Sequence, residues 1–148
     1  MYFVDKNLLE NRLAYFELLA AECANLEVPE SMPEKLAVER TAHLLIEIII
    51  DVGNQMIDGF IMRDPGGYHD ILTILADEKV ISDNDRDAVQ RVIPWRNTLM
   101  QEYTEIDHEA LFSALIQEFD SFMRFPANVR TYIAEEEGPV SAFLPQKE

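Results

Sequence analysis

Arg96, Asn97, Gln101 and Tyr103 are the residues of this chain whose types and spacing could do chemistry. They fall in the run Pro94-Trp95-Arg96-Asn97-Thr98-Leu99-Met100-Gln101-Glu102-Tyr103. A guanidinium can hold a phosphate bidentately. A tyrosine hydroxyl can be a nucleophile, a donor or the acceptor of a modifying group. Gln101 can hydrogen-bond but does not titrate. At helical spacing Arg96, Met100 and Tyr103 share one face, with Arg96 and Tyr103 two turns apart. On residue types alone the signal is weak, because an arginine and a tyrosine on one helix are structural in most proteins. Trp95 reads as core rather than as a stacking platform.

The element that must position this segment is a long upstream helix, expected from about Glu34 to Ile61. Ser31 is a plausible cap, with Pro33 and Glu34 in the first turn. From Ala42 to Gly53 nearly every side chain is apolar, the exceptions being His43, Glu47 and Asp51. With Arg40 before them and Asn54 and Asp58 after, these polar residues recur at spacings of three and four and fall in a sector of roughly 80°. The helix is therefore apolar around most of its girth and carries one polar line. That line is either a solvent-facing strip or a seam facing a groove or partner. Gly53 could permit a close backbone approach.

A first helix should run from about Asp5, a good N-cap, to Asn25, with Leu9, Leu13, Phe16, Ala20 and Cys23 as its buried stripe. Arg63-Asp64-Pro65-Gly66-Gly67 is a turn, followed by a short helix from Tyr68 to Glu78. Asp83 to Tyr103 forms a fourth helix that Pro94 should kink or split. Asp83-Asn84-Asp85-Arg86-Asp87 is not a calcium loop, since Ala88 and Pro94 stand where glycine and glutamate are required. The last helix spans about Asp107 to Ala134 with the stripe Leu111, Leu115, Ile116, Phe119, Phe122 and Met123, bent or broken at Pro126. Residues 135–148 read as a tail, docked through Phe143 and Leu144. No stretch alternates with period two. The expectation is one all-α domain over residues 1–148, an up-and-down antiparallel bundle of about five helices.

The chain has 148 residues, enough for one domain with a real core. Its formal net charge of −16, from 28 acidic and 12 basic residues, repels a polyanion at long range. Broad non-specific RNA binding is thereby disfavoured, while a local basic site stays open. Cys23 is the single cysteine and reads as a buried, inert thiol in a reducing cytoplasm. Met1 to Lys6 does not look like a signal peptide, and the apolar region from Leu44 to Ile50, interrupted by Glu47, is far short of the roughly 20 residues of a membrane span. The expected location is the cytoplasm, with no membrane partner, no metal and no cofactor.

The run Arg96-Asn97-Thr98-Leu99-Met100-Gln101-Glu102-Tyr103 resembles the R-N-x-x-x-H-x-Y signature of the HepT-like branch of the HEPN superfamily. Arg40-x6-Glu47-x3-Asp51 resembles the second helix of that family. Arg63-Asp64-Pro65-Gly66-Gly67-Tyr68-x2-Ile71 and Gly138-Pro139-Val140-Ser141-Ala142-Phe143 look like the YutE-like subgroup. The likeness spans roughly residues 2–144.

The resemblance implies an antiparallel helical bundle that forms a homodimer. In active members, arginine and histidine of both protomers line a shared cleft and cleave RNA without a metal, the arginine holding phosphate and the histidine acting as general acid/base. It implies a small nucleotidyltransferase antitoxin as partner, able to transfer AMP to the tyrosine matching Tyr103. Arg96, Gln101 and Tyr103 occupy the catalytic positions, Arg96 and Asn97 would face the nucleotide or phosphate, and Arg40, Glu47 and Asp51 would face the motif across the bundle and orient Arg96.

The departure lies at the histidine position, which holds Gln101. An amide cannot relay a proton near neutral pH, so a contribution of about 10²–10⁴-fold should be missing. Three readings follow: a HepT-like toxin fold, weak or inactive as an RNase; a non-catalytic binding subunit of a nucleotidyltransferase pair; or an active RNase that uses another residue, with His43 and His108 the candidates. His43 reads more simply as a structural histidine, His108 as a solvated residue in a cap region, and His69 as exposed.

Overall fold

The computed structural model describes residues 4–137. The expected docking of Phe143 and Leu144, and the Gly138-Pro139 segment, lie outside the described residues. Seven helices are formed: α1 (Lys6–Cys23), α2 (Met32–Gly59), α3 (Tyr68–Asp77), α4 (Asp83–Val92), α5 (Trp95–Gln101), α6 (His108–Gln117) and α7 (Phe119–Glu137). No strand occurs among the described residues.

The chain starts its helices where capping chemistry dictates. Asp5 accepts from the Leu8 N–H at 3.0 Å. Ser31 and Glu34 form a reciprocal capping box at the head of α2, which satisfies donors that would otherwise have no partner. Ser82 and Asp107 cap α4 and α6 with their side chains alone, accepting from the Asp85 and Ala110 N–H groups.

The expected five helices become seven because two of them break. Pro94 splits α4 from α5 as expected: the Arg96 N–H turns back to the Ile93 carbonyl at 2.9 Å. The second break is not at Pro126. Glu118 leaves helical geometry between α6 and α7, where Arg91 holds its carboxylate at 2.7 and 3.1 Å. Pro126 lies inside an unbroken α7. Phe122, Phe125 and Val129 around it are buried, and that packing offsets the roughly 3 kcal/mol an interior proline costs. Ile116 and Met123, expected in the buried stripe, are exposed.

α2 stops at Gly59 rather than Ile61. Ile61 takes a left-handed conformation with φ 55°, and the Met62 N–H bonds the Ile57 carbonyl at 2.9 Å, a tight helix ending usually built on glycine.

α2 is the spine, packed by α1, α3, α5 and α6. α1 runs against it, since Arg12 near the start of α1 donates to Gln55 near the end of α2 at 2.7 Å. α3 crosses α2 at Gly53, where an added Cβ would stand 2.5 Å from Cγ2 of Ile71. One apolar cluster runs through the described chain, with Phe16, Phe122, Phe125, Leu45, Ile46, Ile49 and Met56 fully buried within it. Cys23 is buried there, and burial pushes its thiol up to about 11.

α7 is fastened from both sides. Arg130 bridges Glu10 and Glu17 of α1. Asp85, 3% exposed, accepts from Arg124 at 2.7 Å and from Asn128 at 3.3 Å. Burial alone would raise the Asp85 pKa; the hydrogen bonds from Arg124, Ser121 and Asn128 outweigh it and hold the carboxyl below its ordinary range. Asp85 therefore turns inward as an α4–α7 fastener instead of capping its own helix.

Gly53→Ala should lower unfolding stability by about 1–3 kcal/mol, because Ile71 is too stiff to yield without moving α3. Asp85→Ala should cost about 2 kcal/mol by stripping charged hydrogen bonds from Arg124. Urea unfolding of each variant measures both.

Candidate functional site

Pro94 sets the direction of α5, and α5 runs opposite to α2. At its start, Arg96 Nε donates to Oε1 of Glu47 on α2. One turn further, Leu99 lines a groove with Arg40 and His43 of α2. The guanidinium carbon of Arg96 also lies 4.5 Å from the centroid of the Tyr68 ring, an attractive cation–π arrangement. Arg96 is thus held between a carboxylate and an aromatic face.

Tyr68 is placed by the turn before it. Arg63 donates to both oxygens of Asp70 at 2.7 Å, and the Gly66 N–H donates to Asp70 Oδ2 at 2.8 Å. Gln90 of α4 donates to the His69 carbonyl at 2.7 Å and to Thr73 Oγ1 at 3.0 Å. The Arg63 hydrogen bonds, then that of Gly66, lower the Asp70 pKa to about 2. Sequence reasoning marked this stretch as a turn and missed its role. The usable signal was an aspartate seven residues after an arginine, across a Gly-Gly turn.

The polar line of α2 divides its work. Glu47 reaches Arg96, and His43 Nε2 stands 3.5 Å from the same Glu47 oxygen. Asp51 does not face Arg96. It lies 4.0 Å from Arg12 of α1, because the line turns toward α1 over the next turn. Arg40 is exposed and does not orient Arg96; it lines an open groove of about 300 Å³ with Leu36, Glu39, His43 and Leu99. His108, expected to be solvated, is mostly covered, with Nε2 2.6 Å from Glu39 Oε2.

The rest of the motif is open. α5 has no buried residue and ends at Gln101, so Tyr103 sits in the following turn rather than on the helical face expected from spacing. Gln101 is exposed, and Tyr103 is 66% exposed. Asn97 is exposed, with Nδ2 3.5 Å from Glu102, and lines a cavity of about 550 Å³ with Arg96, Tyr68, His69 and Pro94. His69 is exposed, as expected. Among the described residues no group of three or more His, Cys, Asp or Glu could hold a metal ion, and no helix is long and apolar enough to cross a membrane.

The model of the family described as Ribonuclease HepT-like matches residues 11–129. The chain belongs to the HepT-like ribonuclease family. It is 44% identical over 143 residues to a Bacillus subtilis protein named as a candidate RNase, YutE, covering 97% of this chain and 99% of that one. The solved structure of Bacillus subtilis YutE, described as a cytosolic protein of unknown function, matches with a TM-score of 0.91 at 44% identity, over 97% of this chain and 100% of that one. A tri-AMPylated Shewanella oneidensis HEPN toxin, solved in complex with an MNT antitoxin, matches with a TM-score of 0.73 at 16% identity, over 83% of this chain and 96% of that one. That last likeness is one of fold. Together these findings bear out the resemblance of the chain to the HepT-like family and the all-helical fold class.

Arg96→Ala should destabilise the protein by about 1–3 kcal/mol with no ligand present, since Glu47 loses its charged donor. For Asp70 the pH dependence has a definite sign. Its folded pKa of about 2 lies below an unfolded value near ~4, so its contribution is complete above the unfolded value and is lost as pH falls through the folded one. The stability advantage of the natural protein over Asp70→Asn should hold from pH 7 to about 5 and fade toward pH 2. Chemical unfolding across that range checks it.

Proposed function

We propose that this chain is a HepT-like toxin–antitoxin protein with the fold of a metal-independent ribonuclease and a degenerate motif, weak or inactive as an RNase. The observation that carries the reading is Gln101. It holds the histidine position at the exposed end of α5, and its amide cannot exchange a proton near neutral pH. Arg96 and Asn97 are the nucleotide- or phosphate-facing residues, supported by their place on the wall of one cavity with Tyr68 and His69. Glu47 is the supporting member of the polar line that positions Arg96. The protein works as a homodimer in the cytoplasm, a single HepT-like domain with no cofactor. The exposed Met100 beside the motif supports such a contact between copies. Tyr103 is the modification site, with a small nucleotidyltransferase antitoxin as the partner that adds AMP. Its high exposure supports access, and the AMPylated HEPN toxin of like fold supports the chemistry.

A second reading is favoured by the same glutamine: a non-catalytic binding subunit of a nucleotidyltransferase pair. In a third, an active RNase recruits His43, whose ring faces the carboxylate that holds Arg96.

The deciding experiment incubates the purified protein with total RNA in EDTA beside Gln101→His and Arg96→Ala. Gln101→His should cleave roughly 10²–10⁴-fold faster than the natural chain, and Arg96→Ala in the Gln101→His background should abolish that gain. Cleavage by the natural protein at the rate of Gln101→His would overturn the degenerate-motif reading.

A further inference from the structure

Among the described residues Arg40 is the one arginine without a carboxylate partner, and two of the lysines, Lys35 and Lys79, lack one as well. Among the described residues the other seven arginines (12, 63, 86, 91, 96, 124 and 130) each have a carboxylate oxygen within 4.0 Å. Arg40 has none, although Glu39 is its neighbour in sequence and Glu47 lies two turns along its own helix. Both carboxylates are already engaged: Glu39 by His108 at 2.6 Å, Glu47 by Arg96 and by His43 at 3.5 Å. Arg40 therefore faces the groove with no carboxylate partner of its own; Glu39 also lines the groove but is engaged by His108, and His43 lines it with Nε2 3.5 Å from Glu47. Leu36 and Leu99 supply apolar walls.

We propose that Arg40 and His43 form a phosphate-binding site in the groove between α2 and α5, distinct from the Arg96–Asn97 cavity. Its ligand is a phosphate group of a nucleotide or of a single RNA strand. The guanidinium offers a planar pair of donors that fits two phosphate oxygens, and the imidazole, one turn along α2, has one ring nitrogen that does not face Glu47 and can contact the ligand. A groove of about 300 Å³ admits a phosphate with part of its sugar, the sugar resting on Leu36 and Leu99. Arg40 keeps its whole guanidinium clear of carboxylates, whereas the Nε of Arg96 is bonded to Glu47. The inference rests on the nucleotide-facing part of the proposed function and is independent of whether RNA is cleaved.

The test is an NMR titration of the intact protein, following the Arg40 Nε–H and the His43 ring, with inorganic phosphate, 5′-AMP and the dinucleotide ApA as separate probes. Saturable shifts at both side chains are expected from at least one probe. Saturation by AMP or phosphate identifies a terminal phosphate as the ligand; saturation by ApA identifies a phosphodiester. Arg40→Gln should weaken binding roughly tenfold or more, as loss of a charge-assisted hydrogen bond implies, and Arg40→Lys should recover part of it. His43→Gln should weaken it by a smaller factor. Equal melting temperatures of these surface variants and the natural protein establish that folding is intact. The proposal is overturned if no probe shifts Arg40 and His43, if Arg40→Gln leaves the shifts in place, or if Arg40→Gln alters only the sedimentation of the protein, which would make Arg40 a contact between copies. Binding lost in Arg40→Gln but kept in Gln101→His separates this site from the motif, whatever the RNA cleavage assay returns.

Discussion

The site depends on one ion pair, Arg96 to Glu47. Glu47 stands in the most apolar stretch of the chain, between Ile46 and Ile48, both buried. A carboxylate there is tolerable only if it is paired or reaches water. Arg96 pairs it, and in doing so fixes α5, a seven-residue helix with no buried side chain of its own. So short a helix has little intrinsic stability. Its place comes from the Pro94 break, from Trp95 and Leu99 packed against the core, and from this pair. Tyr68 closes the other side of the guanidinium, and Tyr68 is where it is because Asp70 clamps the preceding turn. The motif arginine is therefore a structural keystone as well as a candidate for contact with a ligand.

That arrangement explains how a chain of net charge −16 could handle phosphate at all. Most of its positive charge is locked in pairs that fasten helices: Arg130 to α1, Arg124 to α4, Arg91 to the end of α6. Such pairs are worth little each when exposed, but they withdraw their cations from any ligand. What remains near the motif is local and directional rather than a broad basic surface. The long-range field disfavours RNA in bulk, so recognition would have to rest on a few donors at close range.

Most of the fold was legible in the sequence, because its signals were local. Asp5, Ser31 and Ser82 are capping residues and act as caps. Pro94 splits its helix. The apolar run of α2 makes it the spine, and Cys23 is buried. What was not legible depended on tertiary contacts. Pro126 has a strong local tendency to break a helix, yet Phe122, Phe125 and Val129 carry α7 through it, while the chain breaks at Glu118, whose carboxylate Arg91 of α4 holds. Periodicity placed Ile116 and Met123 in a stripe that only packing could refute. At the site, the spacing of Glu47 on the polar line suggested a seam. The same spacing could not show that Asp51, one turn on, serves Arg12 on a different helix, nor that Tyr68 stacks on an arginine distant in sequence.

Gln101 takes on a more definite meaning in this setting. Here the parts around it differ. The Glu47–Arg96 pair and the clamped turn beneath Tyr68 are explained by folding alone, since each fastens a helix. Asn97 and Tyr103 are not: both are exposed, and neither holds the fold together in the way Arg96 does. On the proposed reading, the open end of α5 has a task that needs an amide and a phenol but no titrating group near neutral pH. Binding a nucleotide, or presenting a hydroxyl for modification, meets that requirement; cleaving a phosphodiester by general acid/base chemistry does not.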